Sequence, residues 1–103
     1  MLGTKIVLDE EKIKKDNVYS VDSVYETIDK IAKECKLVKQ DKYTYICPRG
    51  ELDSPRLGSF IYNYLRDYDW FTLNVKEWIL LDDDEGNDDL IVINKQKKKG
   101  VWA

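Results

Sequence analysis

The sequence predicts a small α+β domain in which helices predominate, with one antiparallel β-hairpin packed on three to four helices. Three observations predict it. An apolar stripe repeats at helical spacing from Val21 to Cys35, the period drops to two between Leu37 and Cys47, and residues 55–81 are densely apolar. The 103 residues suit one domain spanning 1–103. With 43% hydrophobic and 12% aromatic residues, the chain has the composition of a folded protein rather than a disordered one.

Residues 1–8 read as a short N-terminal segment, and residues 99–103 as a C-terminal tail, both expected to be mobile. The run from Asp9 to Lys15 places acids in a first turn and lysines in a last one, as a helix dipole favours. It offers only Ile13 for burial, so a short, marginal helix is expected, broken by Asp16-Asn17. Ser20 then caps the clearest helix, residues 21–35. Its stripe is Val21, Val24, Tyr25, Ile28, Ile31, Ala32 and Cys35.

The hairpin is expected between residues 37–39 and 43–47, joined by Gln40-Asp41-Lys42. That loop sets Lys39 opposite Tyr43, Leu37 opposite Tyr45 and Cys35 opposite Cys47. Pro48 ends the ladder, and residues 49–53 read as a loop. Ser54-Pro55 then reads as a cap and a first helical residue, opening a helix over 55–67.

Asp69 can cap a further helix over 70–81, apolar around much of its circumference and therefore central to the core. Residues 82–89 read as a loop. Leu90-Ile91-Val92-Ile93 is β-branched enough for a strand. Asn87 to Asp89 before it, and Lys97 to Lys99 and Gly100 after it, favour a capped helix.

Several classes of function find no support in the residues. Histidine is absent, removing the commonest general base and transition-metal ligand. No glycine-rich phosphate loop and no nucleophile with a partnered base appears, so no catalytic residue, cofactor or metal ligand is assigned. The longest apolar runs are four residues, against the roughly 20 that a membrane span needs. Residues 1–9 reach charge by Asp9 without the long apolar stretch of a secretion signal, so none is expected there, and two cysteines are too few for a disulfide framework. A cytoplasmic protein is expected, in which Cys35 and Cys47 are small buried residues rather than a disulfide.

Charge, though, is concentrated. Residues 82–89 hold six acids and no base, and residues 90–103 hold four lysines and no acid. The acidic run does not fit a calcium loop: counted from Asp82, Gly86 falls at position 5 and Ile93 at 12, where a Gly at 6 and a Glu at 12 are needed. A solvated loop capping the next helix is the plain reading. The functional one is a docking patch for a basic partner, made of Asp82, Asp83, Asp84, Glu85, Asp88 and Asp89.

Tyr25, Tyr64, Trp70, Phe71 and Trp78 fall on stripes that build a core. Tyr62, off its stripe, and Trp102, near the terminus, are the candidate exposed contact residues. The expectation is a non-enzymatic protein-interaction or accessory factor with an unidentified protein partner. The alternative is a nucleic-acid-binding regulator using Lys95, Lys97, Lys98 and Lys99. Neither oligomeric state nor partner identity is legible.

Ser20-Val21, Tyr25-Glu26-Thr27-Ile28-Asp29, Asp69-Trp70-Phe71 and Glu77-Trp78 give the chain a further character. Through them it resembles small uncharacterised proteins carried by conjugative elements of clostridia and their relatives. The resemblance implies a bacterial accessory protein of a mobile element and brings no active site with it.

Overall fold

A computed structural model describes residues 2–48 and 53–102. Its frame is a five-stranded antiparallel sheet in the order β2-β3-β1-β4-β5. The strands are β1 (Leu2–Leu8), β2 (Val38–Lys39), β3 (Thr44–Ile46), β4 (Val75–Asp82) and β5 (Asp88–Asp89). The helices are α1 (Glu10–Asp16), α2 (Val21–Glu34), α3 (Asp53–Gly58), α4 (Asp69–Thr72) and α5 (Leu90–Gln96). The coil of α3 continues as a π-helical stretch, Ser59–Tyr64, and a 3-10 turn, Leu65–Asp67.

The single expected hairpin is therefore corrected to a sheet of five strands, with two causes. First, Leu2–Leu8, expected to be a mobile segment, is the central strand. It pairs with β3 through Gly3 to Lys5 and with β4 from Leu2 to Leu8. Thr4, Ile6 and Leu8 alternate into the core, and the Thr4 hydroxyl donates to the Ile79 carbonyl at 2.9 Å. Second, the helix expected over 70–81 lasts one turn. Asn74 donates from Nδ2 to the Trp70 carbonyl at 2.7 Å, while its own carbonyl accepts from the Asp9 amide at 2.7 Å. Both contacts fix the chain where it leaves the helix and enters β4. Apolar residues on both faces of β4, Trp78 and Leu80 on one and Ile79 and Leu81 on the other, mimic an all-round apolar helix.

The other elements follow from local chemistry. Asp9 caps α1 through the Lys12 amide, and Asn17 closes it in the left-handed region. Ser20 caps α2, accepting from the Ser23 amide at 3.1 Å. In the hairpin, Asp41 accepts from the Tyr43 amide at 2.9 Å and moves the turn one residue along. Lys39 consequently faces Tyr45 and Val38 faces Ile46, two residues out of the expected register. The two-residue slip keeps each side chain on its expected face, so Leu37, Tyr45 and Cys47 are buried together. It also removes the Cys35–Cys47 opposition, and both cysteines are buried without a disulfide between them.

Asp89 caps α5 through the Ile91 and Val92 amides, so residues 90–96 are helical as favoured. Lys98 rather than Gly100 supplies the first left-handed residue after it. The loop expected over 49–53 falls, apart from residue 53, outside the described residues. So do the Ser54 side-chain cap and the last residue of the 99–103 tail.

All the helices serve one core on one side of the sheet. Ile28, Phe60, Leu65, Phe71 and Leu90 from the helical layer are fully buried with Ile6 and Trp78 from the sheet. Tyr45 meets Phe60 edge-on, and the Tyr25 hydroxyl accepts from the Leu8 amide at 3.2 Å. Among the described residues, no helix is long and apolar enough to cross a membrane.

Candidate functional site

The described surface is indented where α1, the link to α2, and α4 meet. Lys12, Ile13, Asp16, Val18 and Tyr19 line one side of a cleft of about 220 Å³, and Asp69, Trp70, Leu73 and Asn74 the other. A shallower hollow of about 150 Å³ adjoins it, bounded by Ser23, Val24 and Thr27 of α2. Tyr19 and Trp70 border both, so the two form one groove divided by aromatic side chains.

Local chemistry explains why these residues are there. Asn17 ends α1 in the left-handed region and Ser20 starts α2, leaving Val18 and Tyr19 on a bend outside either stripe. Tyr19 precedes the cap and lies near Val24, the arrangement of a hydrophobic staple. A staple usually hides its residues, yet Tyr19 is 48% exposed and Val18 71% exposed. Trp70 stacks on Tyr68 at 5.3 Å and meets Phe71 edge-on at 6.2 Å; Phe71 meets Trp78 at 4.9 Å. This aromatic chain roots the half-buried Trp70 in the core. It is core on one side and groove wall on the other, whereas Trp78 is wholly interior.

Lys12 Nζ lies 3.2 Å from both Asp16 Oδ2 and Asn74 Oδ1, so the rim charges are paired except for the exposed Asp69. A second cleft, about 260 Å³, is lined by Asp29, Ala32, Lys33, Leu37, Lys39 and Tyr45. The Tyr45 hydroxyl donates to Asp29, and Lys39 Nζ contacts both carboxylate oxygens at 2.9 and 3.0 Å. Burial, then the neighbouring Asp29, pushes the Tyr45 hydroxyl pKa far above its ordinary value. The hydroxyl stays protonated and both partners engage the Asp29 carboxylate, so this trio ties α2 to the hairpin. Burial likewise pushes the Cys35 thiol up, away from the reactive thiolate. Among the described residues, no group of three or more Asp, Glu, Cys or His could hold a metal ion.

The acidic loop is partly occupied with its own architecture. Asp82, half-buried, accepts from the Asp84 and Glu85 amides at 2.9 and 3.1 Å, and Asp89 caps α5. Gly86 turns the loop at φ +91°, leaving Asp83, Asp84, Glu85 and Asp88 exposed around it. Tyr62 is half-buried with the Arg66 guanidinium 5.3 Å from its ring. Trp102 is half-buried too; its Nε1 donates to the Lys99 carbonyl at 2.7 Å, and Lys95 lies 5.9 Å from its ring.

The acidic loop and the groove are not brought together. They lie beyond opposite ends of β4, whose eight residues span about 23 Å. Val18 and Tyr19 are the site residues that stripe-based reasoning passes over. Their signal is two large apolar residues placed between a helix-ending Asn and a helix-capping Ser. The chain matches no family model, no curated protein and no solved structure.

Proposed function

We propose that the protein is a non-enzymatic protein-binding module, an accessory factor that grips a segment of its partner in the groove beside Trp70. One observation carries the reading: Val18 and Tyr19, large and apolar, are solvent-exposed against a tryptophan anchored in the core. Aromatic anchors of this kind dominate the energetics of interfaces. Each of the groove's two hollows, about 220 and 150 Å³, is smaller than the roughly 300–1,000 Å³ of typical small-molecule pockets and suits an apolar side chain of a peptide segment.

Asp16 and Asp69 outnumber Lys12 on the rim, which favours a basic residue next to the apolar anchor. The exposed acids at the far end of β4 favour the same sign of partner, as a secondary contact. Cys35 and Cys47, buried and not joined by a disulfide, fit a reducing, cytoplasmic setting. The resemblance to proteins of clostridial conjugative elements supports the accessory role.

A random peptide library displayed on phage and panned against the full chain tests the proposal. Selected peptides should combine an aliphatic or aromatic anchor with Lys or Arg. They should lose about tenfold or more in affinity for Val18→Asp, equivalent to about 1.4 kcal/mol. Neutralising Asp83, Asp84, Glu85 and Asp88 together should cost less. Peptides that depend on the loop and ignore Val18→Asp would overturn the groove as the site. Tight oligonucleotide binding that weakens steeply with salt would replace the whole reading with phosphate recognition through the lysine-rich segment.

A further inference from the structure

The two hollows beside Trp70 differ in chemistry. The smaller, bounded by Tyr19, Trp70 and Val24, carries no charge. Its Ser23 and Thr27 hydroxyls donate to the Ser20 and Ser23 carbonyls, each at 2.9 Å, so neither leaves a donor for a ligand to meet. That hollow suits a purely apolar anchor. The larger is apolar along Ile13, Val18 and Leu73 but is also bordered by charge. Lys12 is engaged there by Asp16 and Asn74. Asp69 is exposed, and among the described residues its carboxylate has neither a counter-charge nor a hydrogen-bond donor.

We infer that the larger hollow takes an arginine of the partner segment, its guanidinium on Trp70 and forked onto Asp69, beside the apolar anchor in the smaller one. The inference rests on the peptide-binding reading of the groove and adds which residue the segment must carry. Three properties favour arginine. The apolar wall of the hollow receives its methylene stem. Tyr68 stacks on one face of the Trp70 indole at 5.3 Å, 21° from parallel, and a planar guanidinium can stack on the other. The Asp69 carboxylate can accept two parallel N–H bonds from a guanidinium, a geometry that an ammonium lacks. Lysine is more strongly hydrated and would act here as a point charge, gaining less from the ring and from the carboxylate.

Peptides selected on the full chain supply the probe, and arginine should outnumber lysine among them. Replacing that arginine by lysine should weaken a selected peptide about fivefold, and replacing it by citrulline, its neutral isostere, about tenfold or more. Asp69→Asn should weaken the parent peptide and shrink the preference for arginine over lysine to about twofold or less, while the Val18→Asp loss remains. The peptide-side changes need no variant of the protein, so they decide the matter even if Asp69→Asn folds poorly. Peptides that lose affinity with Val18→Asp yet tolerate lysine or citrulline would overturn the arginine and leave the groove as the site. So would a preference for arginine that Asp69→Asn leaves untouched. Peptides indifferent to Val18→Asp would remove the groove and this inference together.

Discussion

Replacing Gly3 by alanine distinguishes a central β1 from a mobile N-terminal segment by the sign of its effect. A Cβ at residue 3 would lie 2.4 Å from the Tyr45 carbonyl oxygen and 3.1 Å from Ile46 Cα. The nearer contact is about 1 Å shorter than ordinary van der Waals distance. Both atoms are backbone, in a strand held to β1 by the Gly3–Ile46 pairing and by the Cys47 amide donating to the Leu2 carbonyl at 2.8 Å. No flexible side chain can yield, so the pair of strands must separate locally. Overpacking of this kind costs about 1–3 kcal/mol. At about 4–8 °C per kcal/mol for a domain this size, the thermal midpoint should fall by about 4–24 °C. Urea unfolding should shift in parallel, with an unchanged slope. In a mobile segment the same change is neutral, and where the backbone accommodates alanine it stabilises by about 0.4–1 kcal/mol. A midpoint equal to or above that of the wild type would refute the placement of Leu2–Leu8 at the middle of the sheet.

Other substitutions test individual features. Trp78 is wholly buried, and its Nε1 has no hydrogen-bond partner among the described residues. Trp78→Phe removes that unsatisfied donor, worth about 1–3 kcal/mol, while losing packing of similar size. Chemical denaturation should therefore find it within about 1 kcal/mol of wild type, against a loss of about 3–5 kcal/mol for Trp78→Ala; equal damage from the two would show that the indole N–H is bonded. Lys36 ends α2 at φ 63°, where glycine is unstrained, so calorimetry should find Lys36→Gly more stable by about 0.5–1 kcal/mol.

The Tyr45 hydroxyl, held protonated by burial and Asp29, titrates above the free tyrosine value of about 10. Its contribution to stability is complete below that value and is lost as pH rises towards the folded pKa. Tyr45→Phe should be less stable at neutral pH by about 1–3 kcal/mol and should show a shallower alkaline decline. Parallel stability curves above pH 10 would contradict that assignment.

Legibility differed from element to element for physical reasons. Ser20 and the Val24-to-Ala32 stripe specify α2 locally, so cap and buried face follow directly. Asp9, Asn17 and Asp89 do the same for the ends of α1 and the start of α5. The hairpin faces were legible because a two-residue slip preserves them; the register was not, because the side-chain contact from Asp41 to the Tyr43 amide decides where the turn falls. β4 was illegible because apolarity on both faces erases the period that separates strand from helix. β1 was hidden by Gly3, whose purpose is visible only beside Tyr45 and Ile46. At the groove, the chain pattern shows that Trp70 is apolar and periodic. That one of its sides remains open depends on how α1 and α4 meet, which no local pattern encodes.

The three tryptophans give the most direct test of where the partner binds. They occupy a groove wall, the core and the chain end, and each contributes one indole N–H signal to a nitrogen–proton NMR spectrum. Titration with a panned peptide should shift the Trp70 indole and the Val18 and Tyr19 amides, leaving the Trp102 indole and the amides of residues 83–88 in place. Shifts confined to Trp102 or to the acidic loop, with Trp70 unmoved, would contradict the groove as the protein's working surface.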